Sequence, residues 1–160
     1  MEEMPPAAQE DLGWALGVLL RAYRDRVAPA LGDFPQGSRG YQTVTQALRT
    51  DRPSQLALAH HLGIDRTVMT YLLDDLEAAG LVERRPNPAD RRQRQVVATS
   101  RAQDEIAALC ARVTAAEDAV LTSLDDDERA TLRDLLHKAA AALASAGAPA
   151  CDEGSPAGVA

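Results

Sequence analysis

The chain has 160 residues, the size of one ordinary domain or of one domain with an extended dimerisation element. Apolar residues make up 46% and aromatics only 3%, so a packed core is possible but must be built mostly from Leu, Val and Ala, a composition that favours helices. The net charge of −7 argues against a polyanionic partner for the chain on average, yet residues 39–101 carry ten Arg against seven acids, a balance of +3 that leaves −10 for the rest.

Met1 to Gln9 contains no apolar run of signal-peptide length, and no stretch approaches the ~20 apolar residues of a membrane span. A soluble, cytoplasmic chain with a flexible terminus over residues 1–10 is the expectation, with no membrane partner. Leu12, Leu16, Leu19, Leu20, Tyr23 and Val27 recur at helical spacing and predict a long first helix over Asp11 to Leu31. Pro35 and the glycines at 32 and 37 break it. Ser38 is positioned to cap a second helix bearing Tyr41, Val44 and Leu48 on one face. Ser54 is a good N-cap for a third helix, Gln55 to Leu62, and Gly63 suits a left-handed stop followed by an apolar Ile64. Asp65 then caps a fourth helix, Arg66 to Ala79, which Gly80 and Leu81 end in the same way. Two short helices joined by Gly-Ile-Asp describe a helix-turn-helix.

Leu81 to Arg85 and Arg92 to Thr99 read as two strands around the turn Pro86-Asn87-Pro88-Ala89-Asp90, a hairpin with a basic tip. Ser100-Arg101-Ala102-Gln103 fits a capping box opening a long helix with Ile106, Leu109, Cys110, Val113, Val120 and Leu124. Asp125 to Glu128 places acids at the positive end of a last helix, whose stripe is Leu132, Leu135, Leu136 and Leu143. From Gly147 the composition predicts a disordered tail, residues 147–160. The fold class is therefore mainly α with a small β-hairpin wing.

The fourth helix has two faces. Val68, Met69, Leu72, Leu73 and Leu76 are assigned inward; Arg66, Thr67, Thr70 and Tyr71 are assigned outward, near its N-terminal end. An α-helix fits the major groove of duplex DNA and reads base edges with such residues. Arg66 suits guanine, the Thr methyls suit thymine methyls while their hydroxyls can reach bases or phosphates, and Tyr71 suits a phosphate. Arg91, Arg92 and Arg94 make a cationic finger for a minor groove, with Asp90 expected to orient Arg92 through a carboxylate–guanidinium pair. Arg39, Ser54, Gln55 and Arg84 are expected to meet backbone phosphates.

The runs Ser54-Gln55-Leu56-Ala57, Leu62-Gly63-Ile64-Asp65-Arg66-Thr67-Val68 and Leu76-Glu77-Ala78-Ala79-Gly80-Leu81-Val82-Glu83-Arg84, with Asp90-Arg91-Arg92 before Val96 and Thr99, resemble the MarR family of regulators over about residues 38–103. Two positions depart from its pattern: Ala98 stands where the family often has Leu, and Ala102 where it often has Gly. The resemblance implies a winged helix-turn-helix over residues 38–99, between dimerisation segments at residues 11–37 and 100–146. It implies a homodimer acting as a transcriptional regulator, a repressor, on a pseudopalindromic operator. It also implies a small lipophilic or phenolic effector in a cleft around Trp14, Tyr23, Tyr41 and Leu48. The competing reading is a winged-helix protein-interaction module that does not bind DNA.

No nucleophile triad, phosphate-cradling Gly loop or paired carboxylates stand out, so no enzyme and no cofactor are expected. His60 and His61 splay apart and His137 stands alone, so no metal site is expected. Cys110 on its apolar stripe reads as small core filler, and Cys151 lies in the tail without a cationic neighbour.

Overall fold

The computed structural model describes residues 11–146; the expectations for the terminus, the tail and Cys151 lie outside them. Six helices surround one hairpin: α1 (Leu12–Leu31), α2 (Gly37–Arg49), α3 (Gln55–Leu62), α4 (Arg66–Ala78), β1 (Val82–Pro86), β2 (Arg94–Ala98), α5 (Ser100–Val120) and α6 (Asp126–Ala146). The fold is a mainly helical, winged helix-turn-helix architecture. None of the described helices is long and apolar enough to cross a membrane.

Local signals place most helix ends. Asp11 accepts from the Trp14 N–H, Ser54 from the Ala57 N–H and Asp65 from the Thr67 N–H, so each supplies an acceptor for one of the orphan donors of a first turn. Gly63 adopts φ 61°, the left-handed conformation that ends α3 and turns the chain into α4. Asp125 and Glu128 exchange bonds, each side chain accepting the other's backbone N–H, a reciprocal cap on α6.

Three caps and faces differ from expectation. Ser38 is not the cap of α2; Gln36 is, in a left-handed conformation with φ 61° and no capping bond from its side chain. The reason is the tight turn before it, where the Gly37 N–H donates to the Phe34 carbonyl. A Cβ on Gly40 would lie 1.9 Å from the Pro35 carbonyl oxygen, so only glycine lets α2 lie this close to the turn. Thr99, not Ser100, caps α5. Its hydroxyl accepts the Ala102 N–H and donates to the Gly80 carbonyl, while its own N–H donates to the Leu81 carbonyl. One residue thereby closes the hairpin, starts α5 and ties both to the end of α4. Val68, assigned inward, is exposed, because Met69, Leu72, Leu73 and Leu76 fill the inner face without it.

The core joins Val27, Leu31 and Phe34 to Val44, Leu58, Met69, Leu72, Leu73 and Leu76, with Leu81, Val82 and Val96 from the hairpin and Val113 from α5. The Ala102 methyl is fully buried in it. Strands β1 and β2 pair antiparallel from Val82↔Ala98 to Pro86↔Arg94. A short bridge, Ser54↔Gln95, and the Val96 N–H donating to the Pro53 carbonyl bind the hairpin to the start of α3. The helix-turn-helix and wing therefore share one rigid base. Outside it, α1 lies along α5, and α6 buries none of its side chains. Cys110 is exposed on α5 rather than filling the core.

Candidate nucleic-acid interface

The acids of the middle segment decide what its arginines can do. Asp74 and Glu77 on α4 both hold Arg84, at 2.6 Å each, and Glu77 also accepts the Arg84 backbone N–H at 3.0 Å. Those backbone and guanidinium bonds hold the Glu77 carboxyl below its ordinary value, and they raise Arg84 in turn, Glu77 contributing most. Glu83 pairs with Arg85, Glu105 with Arg101, and Asp51 lies 3.9 Å from Arg52. Asp75 accepts from the Gln36 side-chain amide. The Asp65 carboxyl is also lowered, chiefly by the Thr67 N–H it accepts.

Each of these carboxylates is thus engaged by a group other than Arg91, Arg92 and Arg94 at the wing tip. Among the described residues, Arg39, Arg49, Arg66, Arg91, Arg92 and Arg94 have no carboxylate within 4.0 Å. Arg66 from α4 and Arg92 and Arg94 from the wing border one cavity of about 260 Å³ with Ser54, Gln55, Leu56, Ala59 and Gln93. The N-terminal ends of α3 and α4 adjoin it, adding the positive ends of their dipoles. Thr67 and Tyr71 are exposed on α4, Tyr71 with 68% of its surface free. Arg39 and Arg91 are exposed outside the cavity.

Two expected roles change. Arg84 is a structural brace between β1 and α4, not a free phosphate ligand, because two carboxylates already occupy its guanidinium. Asp90 does order Arg92, but its carboxylate accepts the Arg92 backbone N–H at 3.0 Å instead of pairing with the guanidinium. With the Gln93 N–H donating to the Asp90 carbonyl, that bond shapes the turn and leaves the Arg92 head unpaired. Gln93 and Leu56 at the cavity were missed. Gln93 could have been found from its place between Arg92 and Arg94; Leu56 carries only a core-like signal.

Of the expected effector residues, Tyr23 and Tyr41 are half-buried against the core, with Glu117 near both. Trp14 is 70% exposed on α1, and Leu48 is exposed on α2. Burial raises Tyr23 and Tyr41 above their ordinary values, and the charge of Glu117 adds to both shifts. Glu117, also unanticipated, is itself raised by burial, against the opposing pull of Arg133 at 3.7 Å. Its spacing from Val113 and Val120 on α5 was the available signal.

Residues 41–93, from α2 to the wing tip, match the model of the family described as MarR family. The structure resembles that of a MarR family transcriptional regulator from Rhodococcus sp. RHA1, with a TM-score of 0.75 and 27% identity, covering 82% of this chain and 94% of that one. It also resembles CouR from Rhodococcus jostii RHA1 bound to p-coumaroyl-CoA, with a TM-score of 0.71 and 28% identity over 82% and 93% of the two chains. A mutant MarR from E. coli complexed with operator DNA shares the fold, with a TM-score of 0.70 and 22% identity over 86% and 99%. The chain is thus similar to the MarR family over residues 41–93 and shares the fold of these regulators.

Proposed function

We propose that the protein is a homodimeric repressor that binds a specific duplex operator through α4 and the wing. The observation that carries the reading is the convergence of Arg66, Arg92 and Arg94, none paired with a carboxylate, on one concave site of an otherwise acidic chain. Arg66, Thr67, Thr70 and Tyr71 read the major groove side; Arg91, Arg92 and Arg94 enter the flanking minor groove, with Asp90 shaping the wing turn. Ser54, Gln55 and Arg39 meet the backbone. The operator-bound MarR of the same fold supports that docking. A protein-docking role without DNA gains no support, since it gives the unpaired arginines nothing to do.

The second copy is supported by apolar surface. Leu12, Leu16 and Leu20, at four-residue spacing on α1, and Leu135, Leu136 and Leu143 on α6 are exposed, apolar surface of the kind that a second copy covers. A two-fold dimer would place the two α4 helices on half-sites about one turn, ~10 bp, apart. Release by a small lipophilic or phenolic ligand draws support from the ligand-bound CouR and from the half-buried Tyr23 and Tyr41.

A mobility-shift assay on DNA upstream of the coding sequence tests the reading. The expected result is a discrete complex whose affinity falls steeply with salt, since each phosphate neutralised contributes a slope of about 0.9. Absence of any complex at low salt refutes it. Sedimentation of Leu135→Asp/Leu136→Asp, expected to yield monomers that bind weakly, tests the dimer. Addition of phenolic acids or their thioesters, expected to dissolve the complex, tests release.

A further inference from the structure

The tip of the wing spans residues 87–93, between the Pro86 end of β1 and the Arg94 start of β2. Two side chains hold its backbone. Asn87 Oδ1 accepts the Ala89 N–H at 3.0 Å, and Asp90 Oδ1 accepts the Arg92 N–H, also at 3.0 Å. Each is a turn in which a side-chain oxygen does the work of a backbone carbonyl. After Asn87 comes Pro88, whose ring fixes φ and which has no N–H of its own, so the Asn87 oxygen is directed past it to Ala89. Both turns then close on Gln93. The Asn87 N–H donates to the Gln93 carbonyl at 3.1 Å, and the Gln93 N–H donates to the Asp90 carbonyl at 2.9 Å. Every one of these bonds begins and ends within the loop. Exposure divides the tip in the same way: Asn87 and Asp90 are half-buried, while Pro88, Ala89, Arg91, Arg92 and Gln93 are exposed. Among the described residues, Arg91 and Arg92 have no ion pair, so the turn alone sets where they stand.

We propose that Asn87 is a positioning residue for DNA binding: its side chain holds the turn that sets Arg91 and Arg92 in place before the duplex arrives. The inference rests on the DNA-binding reading and deepens it. A wing tip that is loose in the free protein must be ordered as it enters a groove, and the entropy lost is subtracted from the affinity. Bonds within the loop order it beforehand. Asn87 thereby adds affinity through the arginines and without a contact of its own. The number of phosphates neutralised, which sets the salt dependence, does not involve it.

The test uses the full-length protein and an operator selected from a random duplex library. Binding is measured at several salt concentrations for the wild type, Asn87→Ala, Asn87→Ser and Arg92→Ala. Asn87→Ala deletes the acceptor and should bind about 3–10-fold more weakly at every salt concentration, the worth of one hydrogen bond, with the wild-type salt slope. Asn87→Ser returns a side-chain oxygen for the Ala89 N–H but lacks the amide NH2, and should bind within about 2-fold of wild type. Arg92→Ala removes a contact and should lower the slope by about 1. Amide hydrogen exchange in the free protein gives a second readout: the Ala89 N–H should exchange at least about 3-fold faster in Asn87→Ala than in the wild type. Both Asn87 variants should melt within about 2 °C of wild type, because the bonds lie inside an exposed loop. The proposal is overturned if Asn87→Ala binds as tightly as wild type, or if both variants lower the Tm, which would place the role in the fold. It is also overturned if the Asn87→Ala slope falls as that of Arg92→Ala does, or if Asn87→Ser is as weak as Asn87→Ala, since either makes the amide itself a DNA contact. A wild type that forms no complex with any duplex overturns the DNA-binding reading along with the proposal, and is told apart because the failure is present without a substitution.

Discussion

Replacing Arg84 by Met separates bracing from DNA contact. The substitution keeps an apolar stem of similar reach and removes the guanidinium. Three bonds go: Nε to Glu77 at 3.0 Å, Nη2 to Glu77 at 2.6 Å and Nη2 to Asp74 at 2.6 Å. The backbone N–H of residue 84 still donates to Glu77, so that carboxylate is not left without a donor. Hydrogen bonds to charged groups contribute about 1.5–3 kcal/mol when sheltered, and exposed ion pairs about 0.2–1 kcal/mol. The Arg84 side chain is 22% exposed but its partners are 48% and 38% exposed, so solvent screening pulls the value down. A loss of about 1–2 kcal/mol follows, read as a fall in Tm of about 3–6 °C. Glu77 supplies a pH signature. Its carboxyl is held below 4.5, so the unfolded chain binds the proton more readily; the stabilisation is whole above that value and is lost as pH falls through the folded pKa. The gap between wild type and variant should therefore narrow on acidification and stay constant from pH 6 to 8. Circular-dichroism melts across pH, paired with DNA affinity across salt, make the measurement. An unchanged Tm with a salt slope reduced by about 0.9 would show Arg84 to be a phosphate ligand and refute the brace.

Arg92→Ala should do the opposite, leaving the melt within about 0.5 kcal/mol and reducing the salt slope of DNA binding by about 1; binding titrations at several salt concentrations decide it. Gly40→Ala drives a methyl onto the Pro35 carbonyl and should cost about 2–3 kcal/mol in urea denaturation, with loss of soluble protein an acceptable form of the same result. Thr99→Val removes the α5 cap and the bond to the Gly80 carbonyl, for an expected loss of about 1–2 kcal/mol in the same assay.

Much of the fold was legible because its signals are local. Ser54, Gly63 and Asp65 act within one helical turn, and the turn residues Pro86 to Asp90 between two short strand-like runs place the wing. The misassigned caps at Ser38 and Ser100 have one cause. In each case a neighbouring residue, Gln36 or Thr99, was already held by the turn or strand before the helix, and a local motif does not register that hold. Val68 failed similarly, since four inward side chains on α4 were sufficient. The site was legible as a set of cationic residues but not as a set of partners. Nothing near Arg84 in the chain marks it as the arginine that two α4 carboxylates would hold, and nothing near Arg92 marks it as one that would stay free.

Read alone, the chain determined the order and type of its elements and the position of its arginine-rich wing, since helix period, caps and turns depend on residues a few places apart. Tertiary structure decided which charges remain for a partner. It brought Gln36 to Asp75, Glu77 to Arg84 and Gln55 to Thr70, across 39, 7 and 15 positions. Ion pairing and hydrogen bonding fall off within a few ångströms, so what each group can do depends on neighbours that packing of the helices selects.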